Sequence, residues 1–499
     1  MQHALLASVF VVASCGLAYE LIAGALSSYL LGDSVTQFST VIGAYLFAMG
    51  VGSWLSRYLT RDLVRRFIQI ELMVGLLGGF SAVGLFFAFA WLPGPFRLFL
   101  YLLVFAVGVL VGLEIPLVMR ILKGELAFKD LVSQVLTFDY LGALAVSILF
   151  PLLLAPHLGL VRTGLLFGLL NIAVALWAVH LFRARLPAGP ALTAQCWAAC
   201  FAVATGLVAA GPLTTLAEAH LYADEIVHTE STPYQRIVVT RWHDDLRLFL
   251  NNNLQFSSHD EYRYHEALVH PGLASLPGAK RVLVLGGGDG LAVREVLKYP
   301  QVESVTLVDL DPAMTRLFAS APALVALNQG ALQSPRVTVV NADALQWLAE
   351  SREHFDFVVI DFPDPANFAL GKLYTSAFYR LLEKRLSAHG RLVVQSTSPF
   401  YARQSFWCVV ATLEAAGFKT APYHAQVPSF GEWGYIIAGR QDLVIPAVDP
   451  KKTRFLTSET LPAMFSFPAD MARVPAEVNQ LNNQVLVRYF EDEWRKVIR

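Results

Sequence analysis

Charged residues are scarce in this sequence. Asp, Glu, Lys and Arg together make up 15% of its 499 residues, against roughly 25% in ordinary soluble domains. Hydrophobic residues reach 55%, an excess that is typical of a chain embedded in a lipid bilayer. The length also exceeds that of one ordinary domain. The sequence therefore predicts an integral membrane region joined to a second, soluble region.

Two further shortages exclude whole classes of function. The formal net charge is −1, so no basic surface indicates a nucleic-acid partner. The four cysteines show neither metal-ligand spacing nor a disulfide framework; they are Cys15, Cys196, Cys200 and Cys408. No metal site is therefore expected. The N-terminus lacks a basic segment and its apolar run is longer than that of a signal peptide, which predicts a retained first membrane helix.

Long apolar runs fill the sequence before about residue 215. A helix crosses the hydrocarbon core with about 20 apolar residues. Seven stretches meet that requirement: 5–30, 38–57, 68–91, 97–121, 135–155, 160–180 and 191–211. We therefore predict an all-α, multi-pass transmembrane bundle for residues 1–215.

Carboxylates interrupt these apolar runs at Glu20, Glu71, Glu114 and Asp139. Charge at membrane depth is costly, so such groups are candidates for a functional site. One interpretation is that they handle a cationic ligand. The other is that they lie near an interface or pair with a neighbouring arginine.

The remainder of the sequence has the composition of a soluble enzyme. Period-two alternation over 222–255 predicts a small antiparallel sheet within residues 216–258. Apolar runs then alternate with helical segments, beginning with a helix at 259–274; the runs lie at 281–290, 304–311, 336–340, 355–362, 391–395 and 435–439. This alternation predicts an α/β Rossmann-like domain with a parallel sheet over 259–440. The extension 441–499 ends in a predicted amphipathic helix.

Four acidic residues follow predicted strands. Asp289 lies in the turn GGGDG, Asp309 ends the second strand, and Asp343 and Asp361 follow the third and fourth. Ligands bind at the carboxyl ends of parallel strands, and an acid about 20 residues past a glycine turn binds ribose in Rossmann-type folds. The sequence therefore predicts a nucleotide site that is unusually acidic for an anionic ligand.

In this order and spacing, the motifs resemble those of the spermidine synthases. The resemblance runs from about Tyr234 to Gly439. It rests on TPYQRIVV (232–239), LFLNNNLQFSSHDEYRYHEALVHP (248–271), VLVLGGGDG (282–290), VDLD (308–311), NADA (341–344), VVIDFPDP (358–365) and LYTSAFYRLL (373–382). The apolar half is similar to the multi-pass N-terminal regions of some bacterial members.

The resemblance implies transfer of an aminopropyl group from decarboxylated S-adenosylmethionine, a co-substrate, to an amine. Putrescine is the leading acceptor, giving spermidine and methylthioadenosine, and no metal or other cofactor is implied. Asp361 would accept the proton. The implied binding residues are Gln235, Tyr264 and His265 near the polyamine and donor, Asp289 for the aminopropyl ammonium, Asp309 for the ribose, Asp343 with Ala344 for the adenine, and Asp364 for the acceptor amine. A homodimer or homotetramer is also implied.

This sequence departs from the family pattern around the acceptor. Phe362 and Pro363 stand where small polar residues are usual, and Phe430 stands where a tyrosine often contacts the acceptor. Leu291 replaces a common glycine after the glycine turn. Putrescine, cadaverine, agmatine and spermidine therefore all stay open as acceptors. Two alternative functions also stay open, namely a methyltransferase using S-adenosylmethionine and a polyamine transporter or sensor without turnover.

Positively charged residues are concentrated in the second, fourth and sixth breaks between the apolar runs. The positive-inside rule places those breaks in the cytoplasm. Seven full crossings would then leave the C-terminal half outside, although its nucleotide substrate is made inside. Either one apolar run does not cross, or an eighth span is hidden, or the catalytic half faces outward. We expect a protein of the cell (inner) membrane whose catalytic domain faces the cytoplasm, with one span miscounted.

Overall fold

A computed structural model describes residues 2–31, 34–92, 94–123, 128–186, 189–222, 224–449 and 451–497. The chain divides into two units, Met1–Ile226 and Val227–Arg499. The predicted boundary between residues 215 and 216 lies inside the last helix of the first unit. That helix continues because residues 210–221 keep apolar side chains at helical spacing.

The described part of the first unit is helical throughout. Its helices are α1 (Gln2–Leu31), α2 (Ser34–Leu55), α3 (Leu63–Gly79), α4 (Ser81–Trp91), α5 (Phe96–Leu122), α6 (Phe128–Leu149), α7 (Ala155–Leu181), α8 (Gly189–Val208) and α9 (Ala210–Leu221). A π-helical turn at Phe150–Leu154 joins α6 to α7. Gly159, with φ of 75°, then bends the chain inside α7.

The number of candidate spans differs from the predicted seven. Among the described residues, five helices are long and apolar enough to cross a membrane, or six if the bent pair α3–α4 counts as one. One of the five is the stretch Lys129–Leu181 of 53 residues, which contains two predicted spans. Its backbone is non-helical at Gly159, in the gap between those two spans. A single crossing needs only about 20 residues, so this stretch is long enough for two.

Glycines bring two helices of this unit into backbone contact. A Cβ atom added to Gly52 of α2 would lie 2.0 Å from the carbonyl oxygen of Val109 in α5. One added to Gly112 of α5 would lie 2.1 Å from the carbonyl oxygen of Met49. Close approach through small residues is how helices pack where the solvent is as apolar as the side chains.

The second unit opens with a small sheet of order β1-β2-β3-β4. Its strands are β1 (Glu225–Ser231), β2 (Arg236–Trp242), β3 (Asp245–Leu250) and β4 (Asn253–Ser257). Asn251 and Asn252 have φ of 49° and 66°, the left-handed pair that a tight two-residue hairpin requires. The predicted small sheet is therefore confirmed.

A seven-stranded sheet of order β10-β11-β9-β8-β5-β6-β7 forms the main domain. Its strands are β5 (Arg281–Gly286), β6 (Ser304–Asp309), β7 (Val337–Asn341), β8 (Phe355–Asp361), β9 (Leu386–Gln395), β10 (Lys419–Val427) and β11 (Gly431–Gly439). Strands β5 to β9 are parallel, whereas β11 runs antiparallel to both of its neighbours, β9 and β10. The predicted parallel sheet is thus mixed, and β10 was not predicted. This edge strand contains Pro422 and is largely half-exposed, so it lacks a continuous apolar run.

Helices cover the faces of this sheet. They are α10 (Glu261–Leu273), α11 (Leu291–Leu297), α12 (Pro312–Ser320), α13 (Pro322–Leu327), α14 (Ala344–Glu350), α15 (Phe368–Gly371), α16 (Ser376–Glu383), α17 (Arg403–Ala415) and α18 (Val485–Val497). The helix predicted at 259–274 corresponds to α10, and the predicted terminal amphipathic helix corresponds to α18.

The terminal helix packs on the main domain. Glu493 of α18 accepts hydrogen bonds from the backbone N–H groups of Gln404 and Ser405 at the start of α17, at 2.7 and 3.0 Å. Trp494 donates from its indole N–H to the hydroxyl of Thr397, at 3.3 Å. The extension after residue 440 is therefore part of the α/β domain.

Candidate functional site

The glycine turn lies where the strand order of the main sheet reverses. Strand β5 pairs with β6 on one side and β8 on the other, and Gly286 at its end is opposite Asp361 at the end of β8. Such a reversal leaves a crevice beyond the carboxyl ends of the strands, which is where open α/β sheets bind ligands.

The backbone of the glycine turn is packed against two aspartates. A Cβ atom added to Gly286 would lie 2.3 Å from the carbonyl oxygen of Asp361, and one added to Gly288 would lie 2.7 Å from the carboxyl carbon of Asp309. Any side chain at these positions would displace those aspartates. The three consecutive glycines therefore hold the ends of β5, β6 and β8 in close contact.

Asp361 is held by a tyrosine of α10. The hydroxyl of Tyr264 donates to one carboxylate oxygen of Asp361 at 2.6 Å. A Cβ atom added to Gly287 would lie 3.0 Å from the other oxygen, Oδ2, so the glycine leaves that oxygen uncovered. Burial raises the pKa of Asp361 above its ordinary value, although the charge of His265 and the hydrogen bond from Tyr264 oppose that effect. Tyr264 thus fixes the orientation of a partly buried carboxylate at the rim.

Asp289 and Asp309 are the other carboxylates of the glycine turn. Asp289 accepts from the backbone N–H of Leu291 at the start of α11, at 2.9 Å. Asp309 accepts from the N–H groups of Gly288 and Asp311, at 3.0 and 2.9 Å. Burial raises the pKa of each to about 6. Since a bound cation would offset that cost, the rim is suited to positively charged ligands.

A buried chain of alternating charges lies behind this rim. The Nδ1 atom of His265 is 2.8 Å from Glu261, which binds Arg294 through two hydrogen bonds of 2.8 and 2.9 Å. Arg294 also contacts Glu295, which in turn lies 2.8 Å from His270. Burial lowers the pKa of His265, but Glu261 outweighs it and raises that pKa to about 9. His265 is therefore cationic at neutral pH, and its charge favours the ionised forms of Asp289 and Asp361.

Asp364 is held from the neighbouring strand β9. The side-chain amide of Gln395 donates to Asp364 at 3.5 Å, and Thr397 donates to it through side chain and backbone. Gln395 also contacts the hydroxyl of Tyr374 at 3.1 Å and accepts from the indole of Trp433 at 3.1 Å. Burial raises the pKa of Asp364 to about 7. A bound cation would offset the cost of burying this carboxylate.

Gln235 approaches the second aspartate of the VDLD motif. Its side-chain amide donates to Asp311 at 3.0 Å, and the hydroxyl of Thr232 donates to the same oxygen at 2.8 Å. The loop before β2 is therefore tied to the end of β6. The described structure gives Gln235 no hydrogen bond to the other predicted site residues.

Asp343 caps the start of helix α14 and pairs with a lysine. One oxygen accepts from the backbone N–H groups of Leu345 and Gln346, at 2.9 and 3.1 Å. The other lies 2.6 Å from the ammonium of Lys372. Burial pushes the pKa of Asp343 up, but the hydrogen bond from Lys372 and those from the backbone outweigh it, and the pKa is lowered. Ala344, the first residue of α14, is buried.

Most predicted residues cluster around the glycine turn. Asp289, Asp309, Asp361, Tyr264 and His265 interact there through contacts or charge. Asp343 belongs to the adjacent strand end, while Gln235 acts through Asp311. The sequence analysis missed Lys372, Tyr374, Gln395 and Trp433, because each lies 21 to 38 positions along the chain from the aspartate or glutamine side chain that it contacts. Within the described ranges, no group of three His, Cys, Asp or Glu side chains has a metal-binding arrangement.

Comparisons with known proteins agree on one family. The spermine/spermidine synthase domain matches residues 261–451. A protein named polyamine aminopropyltransferase 2 from Ralstonia nicotianae is 62% identical over 99% of this chain and 99% of its own. The polyamine aminopropyltransferase of Leptospira interrogans is 53% identical over 100% of this chain and 100% of its own. That of Mycobacterium tuberculosis H37Rv is 39% identical over 98% of this chain and 96% of its own. A crystal structure of spermidine synthase with the transition-state analogue AdoDATO aligns with a TM-score of 0.46 and 26% identity, over 49% of this chain and 86% of that chain.

Proposed function

This chain belongs to the polyamine aminopropyltransferase family, and from that membership we infer that it transfers an aminopropyl group from decarboxylated S-adenosylmethionine to an amine. The observation in the structure that supports this activity best is the group of carboxylates at the glycine turn. Both substrates are cations, and the rim carries Asp289, Asp309 and Asp361 beside one another. The methyltransferase, transporter and sensor alternatives are not favoured by these relatives.

The reaction is a displacement at the carbon next to the sulfonium. The nitrogen lone pair of the acceptor forms the new C–N bond while the C–S bond breaks, and its electron pair neutralises the sulfur. Methylthioadenosine leaves as a neutral thioether, so the leaving group needs no proton. The amine, however, is protonated at neutral pH and must lose a proton before it attacks.

We assign the proton transfer to Asp361. Tyr264 occupies one of its carboxylate oxygens, which leaves Oδ2 for the acceptor. A raised pKa makes this carboxylate a better base than an exposed aspartate, since basicity rises with pKa. Asp364, held by Gln395 and Thr397, would bind the same ammonium and orient its lone pair towards the carbon.

We propose that the donor lies over the glycine turn. Asp309 binds the ribose, Asp343 with Ala344 faces the adenine, and Asp289 binds the aminopropyl ammonium. The absence of a carboxylate is what distinguishes this donor from ordinary S-adenosylmethionine. Asp289 would repel that carboxylate, which gives selectivity through an unfavourable contact with the wrong ligand. His265 keeps the neighbouring acids ionised.

Putrescine is the acceptor we propose, in a pocket with aromatic walls. The ring of Tyr264 lies 6.1 Å from that of Phe430 and 5.6 Å from that of Tyr435, centroid to centroid. The hydroxyl of Tyr435 is buried and has no hydrogen-bond partner within the described part of the chain. It is available to the acceptor, and it lies near enough to interact with the charge of Asp361. Tyr435 would therefore supply the hydroxyl that Phe430 lacks.

We further propose that the helical unit lies in the cell (inner) membrane, with the catalytic unit facing the cytoplasm, where the donor is made. Large apolar side chains are exposed on its helices, including Phe47 at 67%, Phe201 at 76% and Val208 at 86%. Exposed apolar surface of that kind is stable against lipid and unfavourable in water. A homodimer or homotetramer remains our expectation for the assembly.

Inverted membrane vesicles from producing cells test these proposals together, because their cytoplasmic face is outward. Added decarboxylated S-adenosylmethionine should yield methylthioadenosine without detergent, with putrescine the best substrate among putrescine, cadaverine, agmatine and spermidine. Alkaline carbonate should leave the chain in the membrane pellet. Release into the supernatant would refute the membrane assignment, and activity only after detergent would refute the orientation. No turnover with any amine, in protein that binds the donor, would refute the enzyme assignment.

Lys372 is expected to contribute to donor binding through Asp343. Replacing it with methionine removes the ion pair but keeps the aliphatic stem. Partly exposed ion pairs contribute up to about 1 kcal/mol, so the KM for the donor should rise about threefold to fivefold, with kcat nearly unchanged. Initial-rate kinetics would measure both constants. The exposed Lys384 provides the matched control, Lys384→Met, which should change neither. A fall in kcat with an unchanged KM would contradict this role.

A further inference from the structure

The helical unit contains a buried polar group that the transfer reaction does not use. Glu71 of α3 accepts a hydrogen bond from the side-chain amide of Asn171 in α7 at 2.7 Å. Asn171 in turn accepts from the hydroxyl of Tyr19 in α1 at 2.9 Å. All three residues are buried. Three helices of the bundle are therefore joined by buried hydrogen bonds.

A second carboxylate near this network has no such partner. Glu114 of α5 is 2% exposed, and its Oε1 atom has no hydrogen-bond partner among the residues that the structure describes. Its charge interacts with those of Glu71 and Asp139 of α6. An unpaired carboxylate in an apolar interior costs several kcal/mol unless a counter-charge or a proton neutralises it.

Glu114 lines a cavity inside the bundle. Its other lining residues include Asp139, Val12, Met49, Phe67 and Val111, contributed by four further helices. The free space at its centre is about 20 Å³, enough for one group the size of a water molecule. The site therefore combines two carboxylates with apolar walls around a space for a single small group.

We propose that this cavity binds the ammonium end of an aliphatic polyamine. A primary ammonium has the size of a water molecule and donates three hydrogen bonds. Its positive charge would balance the negative charges of Glu114 and Asp139. The apolar side chains suit the methylene groups that follow it. A hydrated inorganic cation fits less well, because the valine, methionine and phenylalanine walls offer no oxygen ligands. The site thus lies outside the catalytic unit and binds the same chemical class as the proposed acceptor.

Equilibrium binding of radiolabelled spermidine to the full chain in lipid nanodiscs tests the proposal. The double variant Asp361→Asn/Asp364→Asn removes the catalytic acceptor site as a competing source of binding. Saturable binding should persist in it and should weaken roughly 30-fold or more when Glu114→Gln or Asp139→Asn is added, since each removes one of the two carboxylates that would pair with the ammonium. Glu20→Gln is the matched control. Glu20 is a buried carboxylate of α1 that does not line the cavity, so it should leave the binding unchanged.

Three results would overturn the proposal. They are the absence of saturable binding in the double variant, equal binding with and without Glu114→Gln, and displacement of spermidine by sodium as effectively as by methylammonium. Methylthioadenosine release by the single variant Glu114→Gln should stay within about twofold of the unmodified chain, because Glu114 belongs to the helical unit and has no part in the proposed transfer reaction. Failure of this binding site is therefore distinguishable from failure of the proposed enzyme activity.

Discussion

The variant Asp361→Asn is expected to lose about 10²- to 10⁴-fold in kcat, the range that a positioned general base contributes. The amide keeps the size of the carboxylate and can still accept from Tyr264, so the fold of the rim should persist. It has neither the charge to hold the acceptor ammonium nor the basicity to take its proton. Donor binding should change much less, because Asp289 and Asp309 make the proposed donor contacts. Single-turnover release of methylthioadenosine, with calorimetric donor binding, separates the two effects.

Asp356→Asn is the matched control for this variant. Asp356 lies at the opposite end of the same strand, where it accepts from the backbone N–H groups of Lys280 and Arg281 at 2.9 and 3.0 Å. Its replacement should lower stability by about 1 kcal/mol through weaker hydrogen bonds, with kcat nearly unchanged. Raising the pH should only partly restore the kcat of Asp361→Asn, since a deprotonated amine still lacks its orienting carboxylate. Wild-type kcat in Asp361→Asn would show that another group accepts the proton.

The variant Asp289→Asn is expected to lose selectivity between the two forms of the donor. Removing one charge of a buried pair costs about 2–5 kcal/mol, so affinity for decarboxylated S-adenosylmethionine should fall roughly 30-fold or more. Affinity for ordinary S-adenosylmethionine should rise, because its carboxylate no longer meets a negative charge. Asparagine can still accept a hydrogen bond from the Leu291 N–H, so the first turn of helix α11 should stay folded. Isothermal titration calorimetry with both ligands should show one affinity falling and the other rising.

Opposite changes in the two affinities are an internal control for misfolding. A damaged rim would weaken the binding of both ligands, whereas the loss of a selective charge weakens the binding of one and strengthens the binding of the other. If both affinities fall by the same factor, Asp289 supports the turn and does not discriminate between the ligands. If neither changes, the aminopropyl ammonium is bound elsewhere, and Asp364 would be the next carboxylate to replace.

The sequence was most informative where chemistry depends on local spacing. The glycine turn and the strand-end aspartates occupy short motifs, and the parallel pairing of β5, β6 and β8 brings them together as predicted. Strand β10 was missed because half-exposed edge strands lack a strong apolar pattern. The residues that support the acids were missed for another reason. Lys372 reaches Asp343 from 29 positions away, and Gln395 reaches Asp364 from 31, so no local spacing indicates either pair.

The number of candidate spans shows a different limit. An apolar run of sufficient length predicts a helix, but it does not show how far that helix extends or where it bends. The stretch Lys129–Leu181 passes through a π-helical turn that lies inside a predicted span, and its non-helical backbone at Gly159 lies in the gap between two predicted spans. Similarly, the pair α3–α4 bends by 43° inside one predicted span. Glu114 was singled out by its charge alone, whereas its unpaired oxygen and its cavity emerge only from the packing of several helices.

The contact between Trp494 and Thr397 has a consequence for local opening of the fold. Thr397 donates to Asp364, and Trp494 of α18 donates to Thr397, so the position of Asp364 depends on a helix far along the chain. Local unfolding of α18 would remove this support while leaving the strands of the parallel sheet paired. Detachment of that one helix would therefore loosen the carboxylate that we propose for the acceptor.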